Sequence, residues 1–312
     1  MFLDIICIIA GIALVLWGAD RMTEGAVSIA HRLRIPPIII GLTIVALGTS
    51  LPELCISLVS ALKGTSDLAV GNVVGSNIFN TMLIVGVAAM VTPITILKST
   101  VKKDMPWSVL AGCVLSFLCI DWCITRIDAL ILVVCFSLFM VYTFSEAKKG
   151  KQNPSEEDAE ETRSPLLAIG LMVLGLACLV FGSNIFVDSA TDVARALNVS
   201  DAVIGLTIVA GGTSLPELAT SVVAARKGQS AIAIGNVIGS NIYNVFLILG
   251  LTGIVCPMDI HGITFLDYGV MTSSVILLWL FSYTRYKVER WEGAVLTGLF
   301  TIYMGWLIYN AV

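Results

Sequence analysis

The stretch GLTIVALGTSLPEL at residues 41–54 returns as GLTIVAGGTSLPEL at residues 205–218, with thirteen of the fourteen positions identical. Each copy carries one glutamate, Glu53 or Glu217, in sequence that is otherwise rich in Ile, Leu and Val. A carboxylate at the centre of a bilayer costs roughly 2.5–3.5 kcal/mol on insertion scales. Ionisable residues inside membrane spans usually mark a pathway for an ion or substrate, and two in matching frames indicate such a pathway here.

The composition around these copies is that of a polytopic membrane protein. Hydrophobic residues make up 57% of the 312 residues and charged residues 13%, against about 25% charged in soluble domains. A spanning helix needs about 20 mostly apolar residues. The predicted spans are 2–30, 36–62, 68–93, 106–121, 127–146, 164–195, 200–225, 230–255, 263–284 and 290–311. The chain is therefore expected to be all-α, with ten transmembrane helices and the lipid bilayer as its surroundings.

Lysine and arginine are distributed unequally between the two sets of loops, which predicts the orientation. With the N-terminus outside, the inner loops hold fourteen of them: Arg32, Arg34, Lys98, Lys102, Lys103, Lys148, Lys149, Lys151, Arg163, Arg226, Lys227, Arg285, Lys287 and Arg290. The outer loops hold three: Lys63, Arg126 and Arg195. We expect both termini outside the plasma membrane of a prokaryote, the inner membrane in a bacterium, with residues 147–163 as a cytoplasmic linker.

The two halves of the chain repeat at an offset of 164 residues. GNVVGSNIFN at 71–80 matches GNVIGSNIYN at 235–244, in addition to the first motif. Each half, 1–146 and 164–312, contains five spans, an odd number, so the second half must enter the membrane from the opposite side. This predicts an inverted repeat, an arrangement that places substrate near the midplane between the halves.

The first motif predicts a broken helix. Pro52 cannot donate to the carbonyl of Gly48, and its ring crowds that turn. Carbonyls freed at membrane depth are tolerated where they line a cavity or meet another partner, and a cation is such a partner. Thr49 and Glu53, four residues apart, share one face of the helix. Thr213 and Glu217 repeat the arrangement in the second half.

The second motif contains two sets of residues, glycines that serve helix packing and polar side chains. Its glycines form small-xxx-small pairs that bring this helix against the broken one. Ser76 and Asn80 lie four residues apart, as do Ser240 and Asn244, and we expect them to point toward the glutamates. Asn72, Asn77, Asn236 and Asn241 are expected to make inter-helix hydrogen bonds instead.

The candidate ligands are all oxygens. Two carboxylates, threonine carbonyls and asparagine side chains suit a hard cation such as Ca²⁺, which takes 6–8 oxygens, and the same oxygens can hold Na⁺. Soft metals are disfavoured by the ligand type. Only two histidines are present, and the eight cysteines lie mostly in apolar segments as packing residues. No cofactor and no nucleic-acid partner are expected.

At this point the sequence resembles the cation/Ca²⁺ exchanger superfamily, specifically its prokaryotic sodium/calcium exchanger branch, through GTSLPEL and GNxxGSNIxN in both halves. The resemblance implies an antiporter that exports Ca²⁺ in exchange for Na⁺ by alternating access and functions as a monomer, not an enzyme. It implies these ion ligands: Glu53 and Glu217 for both ions; the carbonyls of Thr49 and Thr213 for Ca²⁺; Asn80 and Asn244 at the central position; the carbonyls of Ala46 and Ala210, with Ser50, Ser76, Ser214 and Ser240, for Na⁺.

One departure from the resemblance leaves the coupling ion open. In the archaeal exchangers of this branch the position of Asn244 is an aspartate, whereas here both halves carry asparagine. An H⁺-coupled exchanger of Ca²⁺ or another divalent cation is the first alternative. A passive channel is a second, although conduction requires weak or multiple sites. An intramembrane enzyme using two carboxylates is a third, but no nucleophile–base set or cofactor motif accompanies the glutamates.

Overall fold

The chain folds as a bundle of long apolar helices in a computed structural model that describes residues 2–149, 164–197, 208 and 210–311. The helices are α1 Phe2–Leu33, α2 Pro37–Thr49, α3 Leu51–Leu62, α4 Ser66–Val91, α5 Thr100–Asp121, α6 Arg126–Lys149, α7 Pro165–Ala196, α8 Ala210–Thr213, α9 Leu215–Arg226, α10 Ser230–Val255, α11 Phe265–Tyr283 and α12 Arg290–Ala311. Within the described residues, eight helices are long and apolar enough to span a membrane, or nine if α2 and α3 are counted as one bent span.

These helices confirm the prediction of an all-helical membrane protein. Nine of the ten predicted segments coincide with a helix or with the bent pair, with ends shifted by a few residues. The tenth, predicted at 200–225, falls partly on residues 198–207 and 209, outside the described residues. Its remaining part contains α8 and α9, which meet at Ser214.

The largest shift in a helix boundary is at α5, which starts at Thr100 instead of 106. Its first turn, Thr100–Asp104, is π-helical and precedes Pro106. In a π-helical register the carbonyl of Val101 would pair with the N–H that proline lacks. That carbonyl accepts a hydrogen bond from Trp279 Nε1 at 2.7 Å instead. A side chain from α11 thus replaces the missing donor and allows the helix to continue through the proline.

Two short antiparallel strand pairs, absent from the sequence predictions, join loops of the two halves. β1 (Ile94–Thr95) pairs with β4 (Lys287–Val288), and β2 (Cys123–Ile124) pairs with β3 (Met258–Asp259). The offset of 164 residues maps β1 onto β3 and β2 onto β4. The two pairings are therefore equivalent under the sequence repeat.

The core is formed by α4 and α10, and α1 and α7 pack against each other in antiparallel directions. A Cβ on Gly18 of α1 would lie 2.7 Å from the carbonyl oxygen of Gly175 in α7, so only glycine permits this approach. A Cβ on Gly239 of α10 would lie 2.9 Å from the carbonyl oxygen of Leu42 in α2. This contact confirms the predicted close packing for the second copy of the motif, here against the broken helix of the other half. The equivalent neighbours of Gly71 and Gly75 fall on residues outside the described part.

Candidate cation site

The first broken helix bends where the sequence predicts. α2 and α3 meet at Ser50 with an angle of 45° between them. Ser50 has φ −86° and ψ 6°, and Ser214, between α8 and α9, has φ −91° and ψ 7°. Pro52 and Pro216 each occupy the first turn of the following helix, where a missing N–H is tolerated. The two breaks therefore have the same backbone geometry.

The two glutamates lie one turn beyond these breaks and are buried at 1% exposure each. Ser50 Oγ donates to Glu217 Oε1 at 3.2 Å, and Ser214 Oγ donates to Glu53 Oε1 at 3.4 Å. Each serine thus contacts the carboxylate of the opposite half. These reciprocal bonds bring the two breaks and both carboxylates into one site, as the repeat predicts.

Two asparagines fix the backbone that carries the glutamates. Asn72 Nδ2 donates to the carbonyl oxygen of Glu53 at 3.3 Å and to Ser57 Oγ at 3.0 Å. Asn236 Nδ2 makes the equivalent bonds to Glu217 at 3.4 Å and to Ser221 Oγ at 3.0 Å. The predicted inter-helix role of both asparagines is confirmed. Ser57 and Ser221 were not among the predicted site residues, although each follows its glutamate by four residues.

Thr49 joins this framework through its side chain. Its hydroxyl is fully buried and lies 3.1 Å from Asn236 Oδ1, to which it donates. The same hydroxyl lies 3.2 Å from the carbonyl oxygen of Val45 and 3.4 Å from that of Ala46. Ser50 N also donates to the Ala46 carbonyl at 3.0 Å. The Ala46 oxygen thus already accepts a hydrogen bond from the backbone in this structure.

A set of amides from α4 and α10 lies at the centre of the bundle. Asn80 Nδ2 donates to Asn241 Oδ1 at 3.2 Å, and Asn244 Nδ2 donates to Asn77 Oδ1 at 3.0 Å. Asn241 in turn donates to Thr81 Oγ1 at 2.8 Å. Asn80 and Asn244 both lie in π-helical turns, Phe79–Ile84 and Tyr243–Leu249, which are frequent at functional sites. Because their nitrogens are used for these bonds, their oxygens are left for another partner.

Among the predicted ligands, four buried carboxylate and amide oxygens have no hydrogen-bond donor in the described part of the chain: Glu53 Oε2, Glu217 Oε2, Asn80 Oδ1 and Asn244 Oδ1. They form two pairs related by the 164-residue offset. A buried oxygen without a partner is costly, so native proteins normally supply one. Carboxylate and amide oxygens are ligands for hard cations such as Ca²⁺ and Na⁺. The site therefore has the chemistry of a buried binding site for such a cation.

The structure describes the other predicted ligands in different degrees of detail. Ser76 Oγ lies 3.4 Å from Ser214 Oγ and belongs to the same cluster. Ser240 is fully buried, and its hydroxyl has no partner in the described part of the chain. Thr213 is half-buried at the end of α8, next to the break, and Ala210 begins that helix. In the described residues, no group of three or more His, Cys, Asp and Glu side chains offers an alternative metal site.

A bundle of apolar helices that encloses two carboxylates at paired helix breaks defines an ion-transport membrane protein. A family model described as sodium/calcium exchanger protein matches residues 3–145 and 167–309. The chain belongs to this family of cation antiporters, in its prokaryotic branch, as the sequence resemblance predicts.

Individual relatives match along almost the whole chain. Inner membrane protein YrbG of Escherichia coli (strain K12) is 35% identical over 99% of this chain and 98% of its own length. Sodium/calcium exchanger MaX1 of Methanosarcina acetivorans is 33% identical over 98% of this chain and 99% of its own length. The solved structure of the sodium-calcium exchanger NCX_Mj, soaked with zero Na⁺ and Ca²⁺, is 30% identical and superimposes with a TM-score of 0.85 over 98% of this chain and 99% of that one.

Proposed function

We propose that this protein exports Ca²⁺ in exchange for Na⁺, by alternating access to the site between the two helix breaks. The observation that carries the proposal is the set of four unpartnered buried oxygens on Glu53, Glu217, Asn80 and Asn244. Two carboxylates neutralise one divalent cation, and Ca²⁺ accepts oxygens in flexible geometry at about 2.3–2.6 Å. Membership of the sodium/calcium exchanger family supports both ions, as do the NCX_Mj structures soaked with Na⁺, Ca²⁺ or Sr²⁺.

The proposed ligands follow the sequence repeat. Glu53 and Glu217 bind either ion, the carbonyls of Thr49 and Thr213 complete the calcium site, and Asn80 and Asn244 lie at its centre. The proposed flanking Na⁺ ligands are the carbonyls of Ala46 and Ala210 and the hydroxyls of Ser50, Ser76, Ser214 and Ser240. Because Na⁺ and Ca²⁺ use the same carboxylates, occupation by one excludes the other, which is the requirement for exchange.

Alternating access requires two halves that can interchange roles. We assign residues 1–146 and 164–312 to two inverted five-helix repeats, ten spans in all, joined by the linker 147–163. The reciprocal serine–glutamate bonds and the two strand pairs support this assignment, since each member maps onto its counterpart at the 164-residue offset. We place both termini outside and the linker in the cytoplasm on the lysine and arginine distribution, and the chain in the inner membrane by likeness to YrbG.

One observation favours H⁺ as a second candidate for the coupling ion. Both central positions, Asn80 and Asn244, are asparagine, so the second of them differs from the aspartate expected for Na⁺ coupling by the family resemblance. The site offers two carboxylates, Glu53 and Glu217, and either could release its ion by taking up H⁺ instead of Na⁺. An H⁺-coupled exchanger of the same fold is therefore the competing function.

The test is ⁴⁵Ca²⁺ uptake into proteoliposomes under three conditions: an outward Na⁺ gradient, an outward H⁺ gradient, and no counter-ion gradient. We expect uptake above equilibrium with the Na⁺ gradient alone. Uptake driven only by H⁺ would replace the coupling ion and retain the site. Equal flux without either gradient would identify a channel and refute exchange.

A further inference from the structure

A group of ion pairs joins α1 to the end of α9, away from the cation site. Lys227 Nζ lies 2.5 Å from Asp20 Oδ1, and Arg21 lies 2.5 Å from the other oxygen of the same carboxylate. Arg21 also pairs with Glu24 at 2.8 Å and its guanidinium lies 5.9 Å from the ring of Trp17. Arg21 thus holds the Asp20 carboxylate in position, with one oxygen directed at a different helix.

The equivalent pair is missing from the other half of the repeat. The offset of 164 residues places Lys63 opposite Lys227 but Asn184 opposite Asp20. Both lysines end their helices in the same way, each followed by a glycine with positive φ, Gly64 at 77° and Gly228 at 75°. Within the described residues no ion pair or hydrogen bond joins Lys63 to α7. The two halves therefore have equivalent lysines, but only Lys227 has a carboxylate, Asp20, at the position that pairs with it.

The helix packing is unequal in the same way: the helices joined by the ion pair are in closer contact than their repeat-related counterparts. α1 packs extensively along α9, whereas α7 has no comparable contact with α3 in the described part of the chain. The Asp20–Lys227 pair lies on the side of the bundle where these helices are in contact. An ion pair at this place resists separation of α1 from the end of α9.

We propose that Asp20 and Lys227 are a positioning pair that sets the direction in which the cation site opens. The pair holds α1 against the end of α9 and favours the state closed on that side, the cytoplasmic side in the orientation proposed above. Asn184 provides no opposing pair at Lys63, so the preference is not cancelled in the alternate state. The inference rests on the proposed alternating access. It names this ion pair as the cause of an unequal population of the inward-open and outward-open states.

The expected effect is on the ratio between the half-saturating Ca²⁺ concentrations at the two sides. Apparent affinity at one side scales with the fraction of protein open to that side. Partly exposed ion pairs contribute modestly, so Asp20→Asn should lower the cytoplasmic-to-external ratio about two- to fivefold. Asn184→Asp, which adds the missing carboxylate opposite Lys63, should favour closure on the external side and therefore also lower the ratio. The double variant should lower the ratio further than either single variant does.

The measurement is Na⁺-driven ⁴⁵Ca²⁺ flux in inside-out and right-side-out membrane vesicles, with ionic strength kept constant by choline. Asp188→Asn is the matched control, because it removes an exposed carboxylate from α7 one turn beyond Asn184, and its ratio should equal that of wild type. A purely structural role for Asp20 would lower the melting temperature and leave the ratio unchanged, which would overturn the inference. If wild-type vesicles showed no Na⁺-driven flux, the proposed function would fail instead.

Discussion

Replacing Glu217 by glutamine tests the charge of the site with little change in shape. Glu217 Oε1 accepts a hydrogen bond from Ser50 Oγ at 3.2 Å, and the oxygen of a glutamine can accept the same bond. The substitution lowers the formal charge of the site from −2 to −1 and replaces the unpartnered Oε2, a potential ligand, by an amide nitrogen. We therefore expect the fold to persist and Ca²⁺ binding to fail.

The magnitude follows from leaving part of a buried cation's charge uncompensated. Removing one partner of a buried charge pair costs about 3–5 kcal/mol. At about 1.4 kcal/mol for each factor of ten, apparent Ca²⁺ affinity should fall by about a hundred- to several-thousandfold. The assay is the Ca²⁺ dependence of initial ⁴⁵Ca²⁺ uptake into proteoliposomes. Glu53→Gln should give a loss of the same order, because its carboxylate has the same burial and the equivalent serine bond.

Glu292→Gln is the control, since Glu292 is also buried at 1% exposure but lies outside the site. Its oxygens accept from Thr284 Oγ1 at 2.7 Å and from Glu289 N at 2.8 Å, which makes it a helix-start residue. Its replacement should leave the Ca²⁺ dependence of uptake within a few-fold of wild type. Near-normal Ca²⁺ affinity in Glu217→Gln, in protein that elutes as a single species, would refute the assignment of this site.

Two further predictions concern the central amides and the helix packing. Asn244→Asp should change the Na⁺ or H⁺ dependence of transport more than the apparent Ca²⁺ affinity, because it adds a titratable carboxyl where an amide oxygen now lies unpartnered; an unchanged cation dependence would argue against a central role. Gly235→Ala should destabilise the protein by about 1–3 kcal/mol, since its Cβ would lie 2.9 Å from the Ile38 carbonyl oxygen. Thermal melting in detergent measures this effect, with Gly269→Ala as the control because its Cβ would meet no described atom within 4 Å; equal melting temperatures would contradict the packing account.

The helix breaks and the glutamates could be predicted from sequence because their causes are local. A proline four residues beyond Gly48 disrupts the helix wherever that helix lies, and the repeated motif shows that both halves use the same device. The inter-helix roles of Asn72 and Asn236 were also predictable, since a polar amide at membrane depth needs a partner.

The individual residues that pair across separate helices could not be predicted. The bond from Trp279 to the Val101 carbonyl joins residues far apart in sequence, and nothing in the spacing of either segment indicates it. The π-helical turns that carry Asn80 and Asn244 change which side chains share a face, so a regular helical period could not orient these amides. The pairing of Asp20 with Lys227 was missed for the same reason, although the two charges were visible in the sequence.

The most direct test of the central claim is whether Na⁺ and Ca²⁺ compete for one site that requires both glutamates. Calorimetric titration of purified protein with Ca²⁺, at increasing Na⁺ and constant ionic strength, measures this competition. We predict that the apparent Kd for Ca²⁺ rises steadily with Na⁺ in wild type and that the double variant Glu53→Gln, Glu217→Gln shows no Ca²⁺ binding. Ca²⁺ binding that is insensitive to Na⁺, or that persists in the double variant, would contradict the account.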